Sequence, residues 1–142
     1  EREALRAALG RAPVADTLHI LTLYSNHEKN NGPPTPAGYA VMTNVKGKDQ
    51  PITFCVVLDD RLSIRQIEIL AYREPYGGEV RNASWLRQFF GKGPDDRLRP
   101  GRDIRNITGA TISVRSVTLG VQDILAAVRL LGLPHHAEER AR

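Results

Sequence analysis

The sequence predicts a small α+β domain: an antiparallel meander of short strands packed against a long C-terminal helix, with a short helix in the middle of the chain. Three observations lead there. Residues 38 to 72 contain three runs of β-favouring residues joined by short polar connections, and hairpin-length links make sequential strands antiparallel neighbours. Near residue 83 the apolar period changes from two to between three and four. Val114, Val117, Val121, Ile124, Leu125, Val128 and Leu131 then hold helical spacing over about five turns. At 142 residues the chain is the size of one domain, so residues 1–142 are read as a single unit.

The elements follow in order. Leu5, Ala8 and Leu9 at helical spacing, with Gly10 and Pro13 just beyond, predict a short amphipathic helix within residues 1–12. The run from Thr17 to Tyr24 reads as a strand, and Asn26 to Pro36, rich in Asn, Gly, Pro and Thr, reads as a long loop. Gly38 to Val45, Pro51 to Leu58 and Ser63 to Tyr72 are the meander. In its last run Ile64, Ile67 and Ile69 alternate imperfectly with polar residues, which predicts one core face and one wet face. Ala83 to Phe90 places Trp85, Leu86 and Phe89 on one helical side, with Gly91 as a stop. Residues 91–107, rich in Gly, Pro and charge, read as a surface connection. The long helix ends at Gly132 and Pro134, leaving a polar tail over residues 132–142.

Composition narrows the class. With 41% hydrophobic and 25% charged residues the chain is globular, and no apolar run approaches the roughly 18 residues of a membrane span. Residues 1–9 lack a basic start followed by an apolar core, so this stretch is not expected to be a secretory signal. The formal charge of +4 is spread among acidic residues without an aromatic-basic stripe, so nucleic acid is not the expected partner. Cys55 is the single cysteine, which excludes an intramolecular disulfide, and it is expected to behave as a small buried hydrophobe. His135 and His136 lack a third ligand at metal-binding spacing. His19 reads as a strand residue, and the sequons at Asn82 and Asn106 carry no assigned role.

The turn before the last helix, Thr108-Gly109-Ala110-Thr111, is the candidate site. A helix start has unpaired N–H groups and a partial positive charge, which suit an anion. Gly109 permits close backbone approach, Ala110 is small, and Thr108, Thr111 and Ser113 bring hydroxyls. Arg102, Arg105 and Arg115 lie near in sequence and could add charge-assisted bonds. The same residues also make an ordinary helix cap, and physics alone leaves both readings open.

Thr108-Gly109-Ala110-Thr111-Ile112-Ser113 resembles the (Ser/Thr)-Gly-Ala-Thr-x-(Thr/Ser) signature of FMN-binding domains. Such domains occur in the C subunit of sodium-pumping NADH:quinone reductase, the G subunit of Rnf complexes, NosR-type membrane regulators and stand-alone exported flavoproteins. The likeness covers about residues 37–131. It takes in Gly38-Tyr39-Ala40-Val41, the hairpin from Lys46-Gly47 to Val57, the segment Glu74-Pro75-Tyr76-Gly77-Gly78 and the helix Trp85-Leu86-Arg87-Gln88-Phe89.

The resemblance implies FMN as cofactor, its phosphate esterified to Thr111 by a dedicated flavin transferase, with Thr108, Gly109, Ala110, Ile112 and Ser113 around it. It also implies that Glu74, Pro75, Tyr76, Gly77 and Gly78 lie against the flavin, with Tyr76 or Trp85 offering an aromatic face. One position departs from the family. An Asp usually stands three residues before the signature; here Arg105 stands there, with Asp103 displaced by two. Arg105 could pair with the phosphate of a noncovalent FMN, so both modes of attachment stay open.

The expected function is electron transfer between membrane-associated or extracytoplasmic redox partner proteins, with no catalytic residue of the chain's own. The alternatives are a flavin enzyme reducing a small substrate, a noncovalent FMN-binding regulatory module, and a binding module without the cofactor that contacts a partner through its basic surface. The expected location is extracytoplasmic, periplasmic or at the cell surface, with a membrane anchor in the full-length protein as one route to it.

Overall fold

The computed structural model describes residues 1–25 and 33–133. Most of the loop read over Asn26 to Pro36, and the tail from Pro134 with His135 and His136, lie outside the described residues.

Helix α1, Arg2–Leu9, ends where Gly10 turns left-handed at φ +71° and returns its N–H to Arg6 O. Four strands follow, β1 His19–Tyr24, β2 Pro36–Lys46, β3 Pro51–Asp59 and β4 Ile64–Tyr72, in one antiparallel sheet of order β1-β2-β3-β4. This is the expected meander with the first strand on its edge. One face carries Tyr39, Val41 and Val45 of β2, Ile52, Phe54, Val56 and Leu58 of β3, and Ile64 and Ile67 of β4, all buried. Gln66 pairs with Val57 while Ile64 pairs with Leu58, so Arg65 is an extra residue. That bulge turns Ile64 and Ile67 to the same face, which explains the imperfect alternation.

Helix α3, Thr111–Leu130, covers this face with Val114, Val117, Val121, Ile124 and Val128. Gly120 marks the tightest approach: a Cβ there would stand 2.6 Å from Val45 Cγ1 and 2.9 Å from Phe54 Cζ. The helix is long and apolar enough to cross a membrane, but its apolar side is taken up by the sheet.

The middle segment is shorter than expected. A 3-10 turn at Gly78–Arg81, which the apolar pattern did not signal, precedes α2, a single turn at Ala83–Leu86 that tightens to 3-10 over Arg87–Phe89. Its early end has a tertiary cause: Gly91 N–H donates to Ile64 O, and Ile64 N–H donates to Lys92 O, each at 2.7 Å. Those bonds draw the chain out of the helix towards β4. The apolar side is as expected, with Trp85, Leu86 and Phe89 in the core. The connection over 91–107 lies on the surface but is pinned inward by Leu98 and Ile104.

Cys55 corrects its reading. It sits on the outer face of β3 and is only half buried, because alternation along the strand gives the core to Ile52, Phe54, Val56 and Leu58.

Candidate cofactor site

Ala110 N–H donates to Ile107 O at 2.9 Å, closing a turn whose third residue, Gly109, has φ +85°. Positive φ at that position strongly favours glycine. Helix α3 then starts at Thr111 with Ala110 as its N-cap, a residue type with no side-chain acceptor, and no side chain caps the helix. The first backbone bond of the helix is Val114 N–H to Ala110 O, at 2.9 Å. Among the described residues, the N–H groups of Thr111, Ile112 and Ser113 have no acceptor. Reading these hydroxyls as ordinary caps therefore fails. Three aligned donors are left open beside exposed Thr111, whose Oγ accepts from Asn106 Nδ2 at 3.2 Å.

The helix start forms one wall of an open cleft of about 500 Å³, within the range of small-molecule sites. Gly109 to Ser113 face Tyr72, Glu74, Pro75, Tyr76 and Gly77, and Lys48 and Asp49 of the β2–β3 turn complete the lining. Two segments more than thirty residues apart thus meet across one opening.

Glu74 fixes the third wall. Its Oε1 accepts from Asp49 N–H at 2.5 Å and Gln50 N–H at 2.8 Å. These bonds, with nearby Lys48 adding a smaller favourable charge, hold the carboxyl below its usual range. Gly47 lies against the same atom: a Cβ there would be 3.1 Å from Glu74 Oε1 and 2.9 Å from Gln50 O. At the floor, Tyr72 Oη donates to Tyr76 O and lies 2.7 Å from Ser113 Oγ. The ring of Tyr76 projects into solvent, 82% exposed.

The expected site residues separate accordingly. Thr111, Gly109, Ala110, Ile112, Ser113, Glu74, Pro75, Tyr76 and Gly77 line the cleft. Thr108 is exposed in the turn, and Gly78 lines an adjoining depression that shares Pro75, Tyr76, Gly77 and Gly109. Trp85 lies elsewhere. Its ring is 4% exposed, meets Phe89 edge-on at 5.3 Å and donates from Nε1 to Arg105 O at 2.8 Å, so it is a core anchor without a face towards the cleft.

Arg105 is likewise outside the lining. Its backbone is held by Trp85 Nε1 and Gln88 Oε1, while its side chain is exposed. Arg102 and Arg115 do not line the cleft either, and Lys48 is its cation. The Lys46-Gly47-Lys48 turn carried a signal for Lys48. Tyr72 had none beyond ending a strand two residues before Glu74.

Residues 47–126 match the family model described as the FMN-binding domain. The chain belongs to the FMN-binding domain family. A comparison with curated proteins gives no match. The match runs from the β2–β3 turn into α3 and so spans every wall of the cleft. FMN is the cofactor of this domain. The residues fit it: three unpaired N–H groups and the Lys48 ammonium suit a phosphate, and the cleft has room for a ring system.

Proposed function

We propose that this FMN-binding domain is an electron carrier that holds the cofactor phosphate at Thr111 and serves redox partner proteins at a membrane or outside the cytoplasm. The uncapped start of α3 carries the reading: its N–H groups of Thr111, Ile112 and Ser113 have no acceptor among the described residues, and an exposed hydroxyl stands beside them. FMN supplies the one- and two-electron chemistry when bound. The chain binds and orients. The helix start and Lys48 balance phosphate charge, Gly109 allows the backbone to approach, and the Glu74 to Gly77 segment borders the ring. The exposed ring of Tyr76 would offer the aromatic face.

In the proposed phosphoester, Thr111 Oγ bonds to the FMN phosphorus of a flavin dinucleotide donor as the phosphoanhydride bond breaks, and the nucleoside monophosphate leaves with the hydroxyl proton, a step assigned to a flavin transferase. Intact mass after coexpression with such a transferase tests it. The expected gain is about 438 Da, one FMN less one water, and Thr111→Ala should abolish it. A gain that persists in Thr111→Ala would refute the assignment.

Noncovalent binding is the second reading, and one observation favours it. Asp103, the displaced counterpart of the family's usual Asp, accepts from Arg99 Nε at 2.8 Å and Arg99 N–H at 2.9 Å. Those bonds hold its carboxyl below the usual range and keep it engaged within its own loop. Flavin released on denaturation after coexpression would establish this mode.

A further inference from the structure

Tyr72 belongs to no part of the signature, yet its hydroxyl joins three elements. It stands at the end of β4, donates to Tyr76 O in the Glu74 to Gly77 segment, and meets Ser113 Oγ of α3 at 2.7 Å. Gly77 closes the joint. Its φ of +84° favours glycine, and a Cβ there would overlap Tyr72 Oη and lie 2.8 Å from Ser113 Oγ.

The protons in this joint can be assigned. A carbonyl oxygen only accepts, so the single proton of Tyr72 goes to Tyr76 O. Tyr72 Oη can then only accept from Ser113, so the Ser113 proton points at Tyr72. Ser113 is buried, 5% exposed, and is left with lone pairs alone. A lone pair facing a phosphate oxygen is repulsive, so Ser113 is unsuited to hold the phosphate while this chain of bonds is intact.

We propose that Tyr72 is a positioning residue of the flavin site: it latches the Glu74 to Gly77 segment to the first turn of α3 and turns the Ser113 hydroxyl away from the phosphate. The phosphate is left to Thr111 and the open N–H groups. This rests on the FMN reading above and assigns separate tasks to two hydroxyls of one signature. Thr111 meets the ligand, whereas Ser113 meets the protein.

Titration of the 142-residue chain, prepared without flavin, with FMN and with riboflavin by flavin fluorescence quenching tests the proposal, because the ratio of the two Kd values isolates the phosphate. Tyr72→Phe removes the latch and should weaken riboflavin by about tenfold, and because it also frees the Ser113 proton to turn towards the phosphate, the ratio of the two Kd values should move in favour of FMN. Thr111→Ala should weaken FMN and spare riboflavin. Ser113→Ala is a mild change that keeps the Tyr72 to Tyr76 bond, and it should leave the ratio at the wild-type value.

Collapse of the ratio in Ser113→Ala would overturn the assignment even if Tyr72→Phe failed to fold. A folded Tyr72→Phe that binds both flavins like the wild type would overturn the latch alone. Absence of FMN binding by the wild type would overturn the reading of the site, and the latch's part in it with it.

Discussion

A single carboxylate, Glu74, decides whether the β2–β3 turn stands at the cleft. Its folded pKa is depressed by accepting two backbone N–H bonds, so its contribution to stability is complete above the ordinary value of 4.5 and fades as the pH falls through the lower folded value. Glu74→Gln keeps an acceptor but loses the charge that strengthens both bonds. The variant should melt below the wild type at neutral pH, and the gap should close as the solution is acidified below pH 4.5. Thermal melts from about pH 8 to about pH 3 measure this, and a gap independent of pH would refute a charge-based clamp. Its neighbours show how unevenly residue identity reports role. Gly77 is required by both its φ and its surroundings, whereas Tyr72, which makes that space tight, has an identity that many strands share.

Among the elements, α3 and the sheet depend on one small residue. Replacing a helical Gly by Ala normally stabilises by up to about 1 kcal/mol through propensity. At Gly120 the new methyl would press on Val45 and Phe54, both fixed in the core, where overpacking typically costs about 1–3 kcal/mol. The clash should exceed the propensity gain, so Gly120→Ala should lower the urea midpoint; an unchanged or higher midpoint would mean that helix and sheet can separate without cost. Helix α2 shows the reverse relation between pattern and packing. Its apolar side was readable at Trp85, Leu86 and Phe89, but its length was set by the bonds that Gly91 N–H gives to Ile64 O and Ile64 N–H gives to Lys92 O. Local spacing carries no trace of such partners.

For the whole molecule, Asp123 ties the N-terminal segment to the core. It lies in α3 with no solvent exposure, accepts from Val14 N–H and Ala15 N–H at 2.7 Å each, and has Arg11 Nη1 at 2.9 Å from Oδ1. Asp123→Ala would leave two backbone donors without their acceptor and remove the counter-charge of Arg11, whose guanidinium keeps its bonds to Leu119 O and Gln122 Oε1. A loss of about 2–4 kcal/mol is expected, measurable by chemical denaturation. Residues 11–15 should also gain amide exchange, and unchanged exchange there would disprove the tie. The tie bears on function because α3, which it braces, carries Thr111 at its other end.

The sequence by itself determined the order and type of the main elements, because strand and helix periods, short links and glycine stops are local properties read along the chain. It also pointed to two of the three cleft segments, through the signature at Thr108 to Ser113 and the turn at Glu74 to Gly78. Tertiary structure decided what those residues face. It sent Trp85 into the core and left Arg105 outside the cleft, brought in Lys48, and left the start of α3 without a cap. It also joined Tyr72 to Ser113 across 41 residues. Burial, hydrogen-bond partners and the space around a glycine depend on what folds against each segment, and neither composition nor periodicity encodes that.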